Sequence, residues 1–565
     1  MKTILLCAIN ARYSHSSLAL LYLRQAAAGL PVSISEYNIN DDPAQTIESI
    51  ATAAPGAVGF SCYIWNIGHV LKVASAVKKL LPRCTVLLGG PEVSFDPREL
   101  MQTHRFIDII IRGPGEAPFA RFAAAFCRGE GIDAIPSACI RTENGLVETP
   151  VAAPLPLTDI PFVYGDLSPY AHKILYYETS RGCPFRCAYC LSAETGMDFL
   201  PTGRAVSELE YFLKQGVRQV KLVDRTFNYP DSRAREIFSA LIVLASRYPE
   251  SRTNFHFEIS ADLLSEETLS VLATAPSGLF QFEVGIQSTN DDTLKAVRRG
   301  HNTRQLLHKA ARLCAMKNLC VHVDLIAGLP CETVATFAAS FNDAYRLGAH
   351  RLQLGFLKLL KGSPLRARAG QYGIVYADEA PYEVLKTNTM SYTVLRRLHR
   401  IEALVDTLLN DRAAFRTLAL LTGLLPPYNV FHRFTEQLER QGFFARPQKT
   451  AVLFEQLYAF ASALPGINET LLREALAFDW LCRQNGDCPT SFALPVTDEA
   501  KAWSRRFFAN TDAVSRYLPD TGLAPRQLER RCRVFFFRSL FGRPAYVLFD
   551  HGKKPDDPGF WQLIG

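Results

Sequence analysis

Along the first 360 residues, short apolar runs alternate with amphipathic helical stretches, and this alternation narrows the fold more than any other feature of the chain. A first series has strand-like runs at 4–9, 31–37, 58–62, 85–88 and 108–111. Helical patterns lie between them at 16–28, 43–53 and 67–80, and a last one follows 116. Five βα units predict an open, doubly wound parallel sheet over residues 1–145. Ligands of such sheets sit outside the carboxyl ends of the strands. The loops 10–17, 61–66 and 89–92 are therefore candidate binding loops, and the Gly89-Gly90 pair admits close backbone approach to a bulky ligand. None has the G-x-G-x-x-G spacing of a dinucleotide site. His15, in the first loop, reads as an ordinary polar residue.

Residues 146–170 read as a connector, with Pro154, Pro156, Pro161 and Pro169 spaced as a semi-rigid strap. Just before it, Glu143-Asn144-Gly145 marks a turn between strand-like pieces at 137–141 and 147–151. The alternation restarts at 172, with strands expected at 172–178, 217–224, 254–259, 279–285, 319–325 and 351–356. Six units predict a partial (βα)6 barrel over 171–375, with its chemistry at the carboxyl edge. Glu178, Asp224, Glu258, Glu283, Gln287, Ser288 and Asp324 are expected at or near those strand ends. Residues 376–565 read as a mainly helical domain ending in a hairpin, 533–537 with 546–550.

After the first barrel strand stand Cys183, Cys187 and Cys190, in C-x3-C-x2-C spacing. Three thiolates on one loop can hold three irons of a [4Fe–4S] cluster and leave the fourth iron for an exogenous ligand, whereas electron-transfer clusters take four cysteines. Zinc is the rival occupant, but it takes four ligands in paired groups, and no second group at such spacing is present. Cys482 and Cys488 are too loosely spaced for a second cluster.

The other cysteines, of 14 in all, are scattered, which fits a reducing, cytoplasmic compartment. No run of 18 uncharged apolar residues appears, so no membrane span is expected. The N-terminus reads as strand and not as a signal peptide. A net charge of +7 is modest at 565 residues, and no nucleic-acid-binding signature accompanies it, so no nucleic-acid partner is expected.

The cysteine spacing, with Val223-Asp224-Arg225-Thr226-Phe227-Asn228, Glu283-Val284-Gly285-Ile286-Gln287-Ser288 and Asp324-Leu325-Ile326-Ala327-Gly328-Leu329-Pro330, resembles the radical S-adenosylmethionine superfamily, in the branch with an N-terminal cobalamin-binding domain. The resemblance spans residues 1 to about 360. It implies a [4Fe–4S] cluster on Cys183, Cys187 and Cys190, with S-adenosylmethionine on the open iron. Asp224, Thr226, Glu258, Glu283, Gln287 and Ser288 stand where that cofactor's amine, ribose or carboxylate would be held. Asn10, Ser61, Gly89, Gly90 and Glu116 are the matching candidates for cobalamin. The older cobalamin pattern has Asp-x-His after the first strand; Asn10-Ala11-Arg12 replaces it here, which implies a cobalt without a histidine ligand. The implied activity is methyl transfer to an unactivated carbon of a small molecule, with electrons from a flavodoxin or ferredoxin. The alternatives are a cobalamin-dependent rearrangement, cyclisation or oxidation, and, in another class, a cluster-bearing sensor. The C-terminal third is similar to an extension of some such enzymes and brings no chemistry with it.

Overall fold

The computed structural model describes all residues except 1, 193–195, 301, 485, 496, 520–522, 555, 556, 558 and 565. It divides into two compact units, residues 1–350 with 354–392, and residues 351–353 with 393–565.

The first unit opens with a seven-stranded sheet in the order β2-β1-β3-β4-β5-β6-β7. Its strands are β1 (Ile4–Asn10), β2 (Val32–Asn38), β3 (Ala57–Ser61), β4 (Thr85–Gly89), β5 (Ile109–Ile111), β6 (Ala138–Thr142) and β7 (Gly145–Glu148). The first five pair in parallel. Period-two alternation explains the burial of both faces. Leu5, Cys7 and Ile9 enter one core with Val58, Phe60 and Val73, while Ile4, Leu6 and Ala8 enter the other with Ala57, Phe119 and Phe122. The last two strands differ from expectation. β6 adds antiparallel to β5 and β7 antiparallel to β6, so the hairpin around the 143–145 turn extends this sheet past residue 145. Both pieces read as strand-like in the sequence, but their pairing onto β5 depends on distant backbone that a local pattern does not show.

A second sheet runs β13-β12-β11-β10-β9-β8. Its strands are β8 (Leu175–Tyr177), β9 (Gln219–Leu222), β10 (Asn254–Ile259), β11 (Phe280–Gln287), β12 (Cys320–Ala327) and β13 (Arg351–Phe356). Neighbours from β8 to β12 are parallel, as the partial barrel requires. Phe257 of β10 and Phe280 and Phe282 of β11 pack around Phe238 of the helix Asp231–Arg247, with rings 5.2–5.7 Å from it, and Phe255 lies beside Phe257 on the same face (6.5 Å). That face is therefore the outer one. The inner face carries Lys221, His256, Glu258, Glu283 and His322, in place of the branched apolar layers that usually fill a barrel. Glu283 and Asp324 were expected near strand ends and lie mid-strand, because β11 and β12 continue two residues further than their apolar runs.

The first unit runs on to residue 392, beyond the expected boundary at 375. The short pair Val375–Tyr376 and Val384–Lys386 folds back onto the barrel, where Val384 N donates to Leu357 O (2.9 Å).

The second unit is mainly helical. Phe478 lies within 6.0 Å of the rings of Phe415, Phe537, Phe541, Phe549 and Trp561, so its aromatics build a core. It closes on three antiparallel strands, β14 (Cys532–Phe537), β15 (Ala545–Asp550) and β16 (Trp561–Ile564), one more than the expected hairpin. Among the described residues, no helix is long and apolar enough to cross a membrane.

Candidate functional site

The cysteine loop leaves the carboxyl end of β8. Asp224, fully buried just past β9, sets its start: it accepts from Thr179 N (2.9 Å), Thr179 Oγ1 (2.6 Å) and Ser180 Oγ (2.7 Å). Arg181 ties the same turn to the start of the helix Glu116–Arg128, which follows β5, bridging Glu178 (3.0 Å) and Glu116 (2.6 Å). Burial pushes the Glu178 carboxyl up to about 7 despite that arginine. Gly182 is at φ +92, and a Cβ there would fall 2.1 Å from a backbone oxygen, so the loop needs glycine immediately before Cys183.

Hydrogen-bond donors converge on the three sulfurs. Cys183 Sγ is 3.5 Å from Thr226 Oγ1, Arg299 Nη1 points at Cys187 Sγ (3.6 Å), and Ser192 N points at Cys190 Sγ (3.4 Å). Arg299 also reaches Tyr189 Oη (3.2 Å) and the Gly285 carbonyl. Burial raises the Cys187 thiol, and the guanidinium works against it. A cation and an N–H beside sulfur fit thiolates bound to iron better than neutral thiols. Among the described residues, no three His, Cys, Asp or Glu side chains are gathered around one metal-ion position. A single zinc would need its sulfurs at about 2.3 Å from one centre.

Above the barrel, Gln287 ends β11 and Ser288 follows it. Gln287 has φ +67, and its amide folds back over Gly285, where a Cβ would fall 2.4 Å from Nε2; its buried Oε1 has no hydrogen-bond partner. Ser288 Oγ donates to Glu332 Oε1 (2.6 Å). Deeper inside, Lys221 Nζ lies 3.2 Å from Glu283 and 3.5 Å from Glu258, and His256 Nε2 lies 3.2 Å from Glu283. Burial would raise both carboxyls. It does so for Glu258, whereas His256 and Lys221 hold Glu283 low. Thus Glu258 and Glu283 come together with a lysine between them, and Gln287 and Ser288 stand beyond them toward the carboxyl edge.

In the first sheet the order 2-1-3-4-5 reverses between β1 and β3, the point where such folds open a ligand crevice. Asn10 ends β1, Ser61 ends β3 and Gly89 ends β4. Asn66 was missed by sequence reasoning. Its buried amide donates to Ile9 O (3.0 Å) and Ser61 O (2.9 Å) and accepts from Tyr63 N (2.7 Å), so it pins the two strand ends at the switch point. Beside it Tyr63 and Trp65 stack at 4.3 Å with Trp65 half-exposed, a flat apolar surface at the crevice. Gly90 lies at φ +117, with a Cβ position 2.5 Å from the Cys62 carbonyl oxygen. Gly90→Ala is expected to destabilise the first unit by at least about 2 kcal/mol in urea unfolding, since the barrier is backbone and cannot rotate away. His15 Nδ1 is 2.8 Å from Tyr176 Oη, an ordinary polar contact between the first loop and β8.

Residues 4–123 match the family model of the B12 binding domain, and residues 177–344 match that of the Radical SAM superfamily. The chain thus carries a B12 binding domain followed by a radical SAM domain. Residues 370–541 match a protein family of unknown function, DUF4080. The cobalamin-dependent radical SAM methyltransferase TokK of Streptomyces tokunonensis is 29% identical over 353 residues, covering 57% of this chain and 50% of TokK. The 2-(S-pantetheinyl)-carbapenam-3-carboxylate methyltransferase of Streptantibioticus cattleyicolor is 27% identical over 388 residues, covering 60% of this chain and 54% of that one. The radical SAM chain thus spans about half the length of these curated relatives. Among solved structures, the methyltransferase TsrM of Kitasatospora setae, determined with cobalamin and a [4Fe-4S] cluster, superposes with a TM-score of 0.56 at 20% identity, over 68% of this chain and 79% of TsrM. That likeness is one of fold.

Proposed function

We propose that this radical SAM protein methylates an unactivated carbon of a small molecule, with an open [4Fe–4S] cluster on Cys183, Cys187 and Cys190 and cobalamin in the crevice between β1 and β3. The observation that carries the reading is the presence, within one compact unit, of a three-thiol loop backed by a half-buried arginine and a sheet with its switch point open. Two relatives named as methyltransferases support the reaction class. When bound, the cluster supplies the electron that splits the sulfonium of S-adenosylmethionine, and cobalamin carries the methyl group.

The chain's own residues prepare these sites. Arg299 offsets thiolate charge at Cys187, and the Ser192 N–H does so at Cys190. Gln287 Oε1, buried and without a partner, is set to accept from a ribose hydroxyl or amine at the barrel mouth. Lys221, His256, Glu258 and Glu283 give the lumen a polar lining suited to a hydrogen-bonding substrate. Gly89 and Gly90 keep the third crevice loop close to the sheet. Reducing equivalents come from an external flavodoxin or ferredoxin.

Product analysis tests the reaction class. The anaerobically reconstituted chain, given cobalamin, S-adenosylmethionine and a low-potential reductant, is expected to release both S-adenosylhomocysteine and 5′-deoxyadenosine. Deoxyadenosine without S-adenosylhomocysteine would sink methyl transfer and favour a rearrangement, cyclisation or oxidation.

A further inference from the structure

The cysteine loop and the Gly89-Gly90 loop belong to different sheets, yet residues 357–386 touch both. This stretch leaves β13 anchored to the barrel, with Leu357 N donating to Ala327 O (3.0 Å). On one side, Leu365 N donates to the carbonyl of Ala188 (2.8 Å), inside the cysteine loop next to Cys187. On the other, Tyr382 Oη donates to Glu92 Oε1, and Lys361 Nζ stands 3.6 Å from the same oxygen. Glu92 is two residues past Gly90 and 3% exposed, so these two partners, not water, offset its charge. Close by, Gly362 abuts Phe95: a Cβ there would fall 2.1 Å from the ring. Arg366 knits the two sides together. It lies 4.8 Å over the Tyr382 ring, donates to Leu359 O (2.7 Å), and directly follows Leu365.

We propose that residues 357–386 form a brace that fixes the separation of the cluster loop from the third cobalamin loop, with Tyr382 and Glu92 as positioning residues for cobalamin. The inference rests on the two-cofactor reading above and adds to it how the two centres are held in register. Register matters because a misplacement of about 1 Å can cost a reaction roughly a hundredfold. The brace also gives a role to the start of the segment of unknown function, which begins at residue 370, inside it.

The test uses the full chain, wild type and Tyr382→Phe, with three readouts: amide hydrogen exchange, absorbance titration with hydroxocobalamin, and iron content after reconstitution. Tyr382→Phe is expected to speed exchange about tenfold both at 89–95 and at Leu365, and to weaken hydroxocobalamin binding about tenfold. Exchange in the strand at 4–9 and iron content should stay unchanged. Loosening of 89–95 with no change at Leu365 would overturn the brace, as would a rise of exchange throughout the first sheet. If Tyr382→Phe fails to fold, Lys361→Met, which removes the ion pair to Glu92 and the cation over the Tyr382 ring, must give the same paired pattern at smaller amplitude or the proposal falls. Wild-type chain that takes up no hydroxocobalamin would defeat the cofactor reading, while the exchange pattern would still decide the brace.

Discussion

Replacing Cys183, Cys187 or Cys190 with alanine is expected to cut reductive cleavage of S-adenosylmethionine by more than about a hundredfold, with a parallel loss of bound iron. Loss of even an outer hydrogen-bond partner costs a metal site about 10- to 100-fold, and loss of a ligand costs more. The three sites should behave alike although their surroundings differ: Cys187 is buried beneath Arg299, while Cys183 and Cys190 are partly exposed. That equality is the discriminating feature. A thiol acting as a nucleophile or redox sensor would be singular, whereas three ligands of one cluster fail together. Cys314→Ala is the control. Burial pushes that thiol up to about 12, which leaves it protonated and inert, and its loss should change neither iron content nor cleavage. Iron quantification with 5′-deoxyadenosine assay reads all four variants. Normal cleavage in any one of the three cysteine variants would defeat the cluster assignment.

The parts of this molecule that were legible in the sequence are those where local pattern and chemistry coincide. Strand β1 could be read because Ile4, Leu6 and Ala8 had to face one core and Leu5, Cys7 and Ile9 the other. The cluster loop could be read because its ligands sit within eight residues. What escaped depends on distant backbone. Asn66 looks like any loop asparagine until its amide is seen between the carbonyls of Ile9 and Ser61. β7 read as strand-like, but its place at the edge of the first sheet is set by its partner β6 and not by its own sequence. The contacts of Leu365 and Tyr382 join residues nearly 180 and 290 positions away, and a one-dimensional pattern holds no trace of such pairs. Glu332 was hidden in another way, as one more loop carboxylate two residues past Gly328-Leu329-Pro330.

Glu332 carries the second large effect. It is fully buried; Oε1 accepts from Ser288 Oγ, and Oε2 has no partner. Burial pushes its carboxyl up to about 8, and the single hydrogen bond from Ser288 is too weak to reverse that. The folded protein therefore holds a proton there that the unfolded chain, titrating near 4.3, releases. At pH below about 4 both states are protonated and the contribution is fully present. As pH rises the unfolded state binds fewer protons than the folded state, so stability falls until about pH 8 and is then level. The loss over that window is on the order of 3–5 kcal/mol. Glu332→Gln keeps the shape and an acceptor for Ser288 but cannot ionise, so its stability should decline less between pH 5 and pH 8, and it should exceed wild type at pH 8. Urea midpoints of the first unit at pH 5, 6.5 and 8 read the difference, and parallel pH slopes in the two proteins would refute a buried neutral Glu332. The same proton bears on the site. Ser288 follows Gln287, and Thr389 Oγ1 donates to the Glu332 carbonyl (2.7 Å), so ionisation would drive a charge into the network that sets the end of β11. A neutral Glu332 leaves the hydrogen bonds of Ser288 and Thr289 with Ser340 to hold that strand end, and an ionised one would repel any anionic group bound at the barrel mouth.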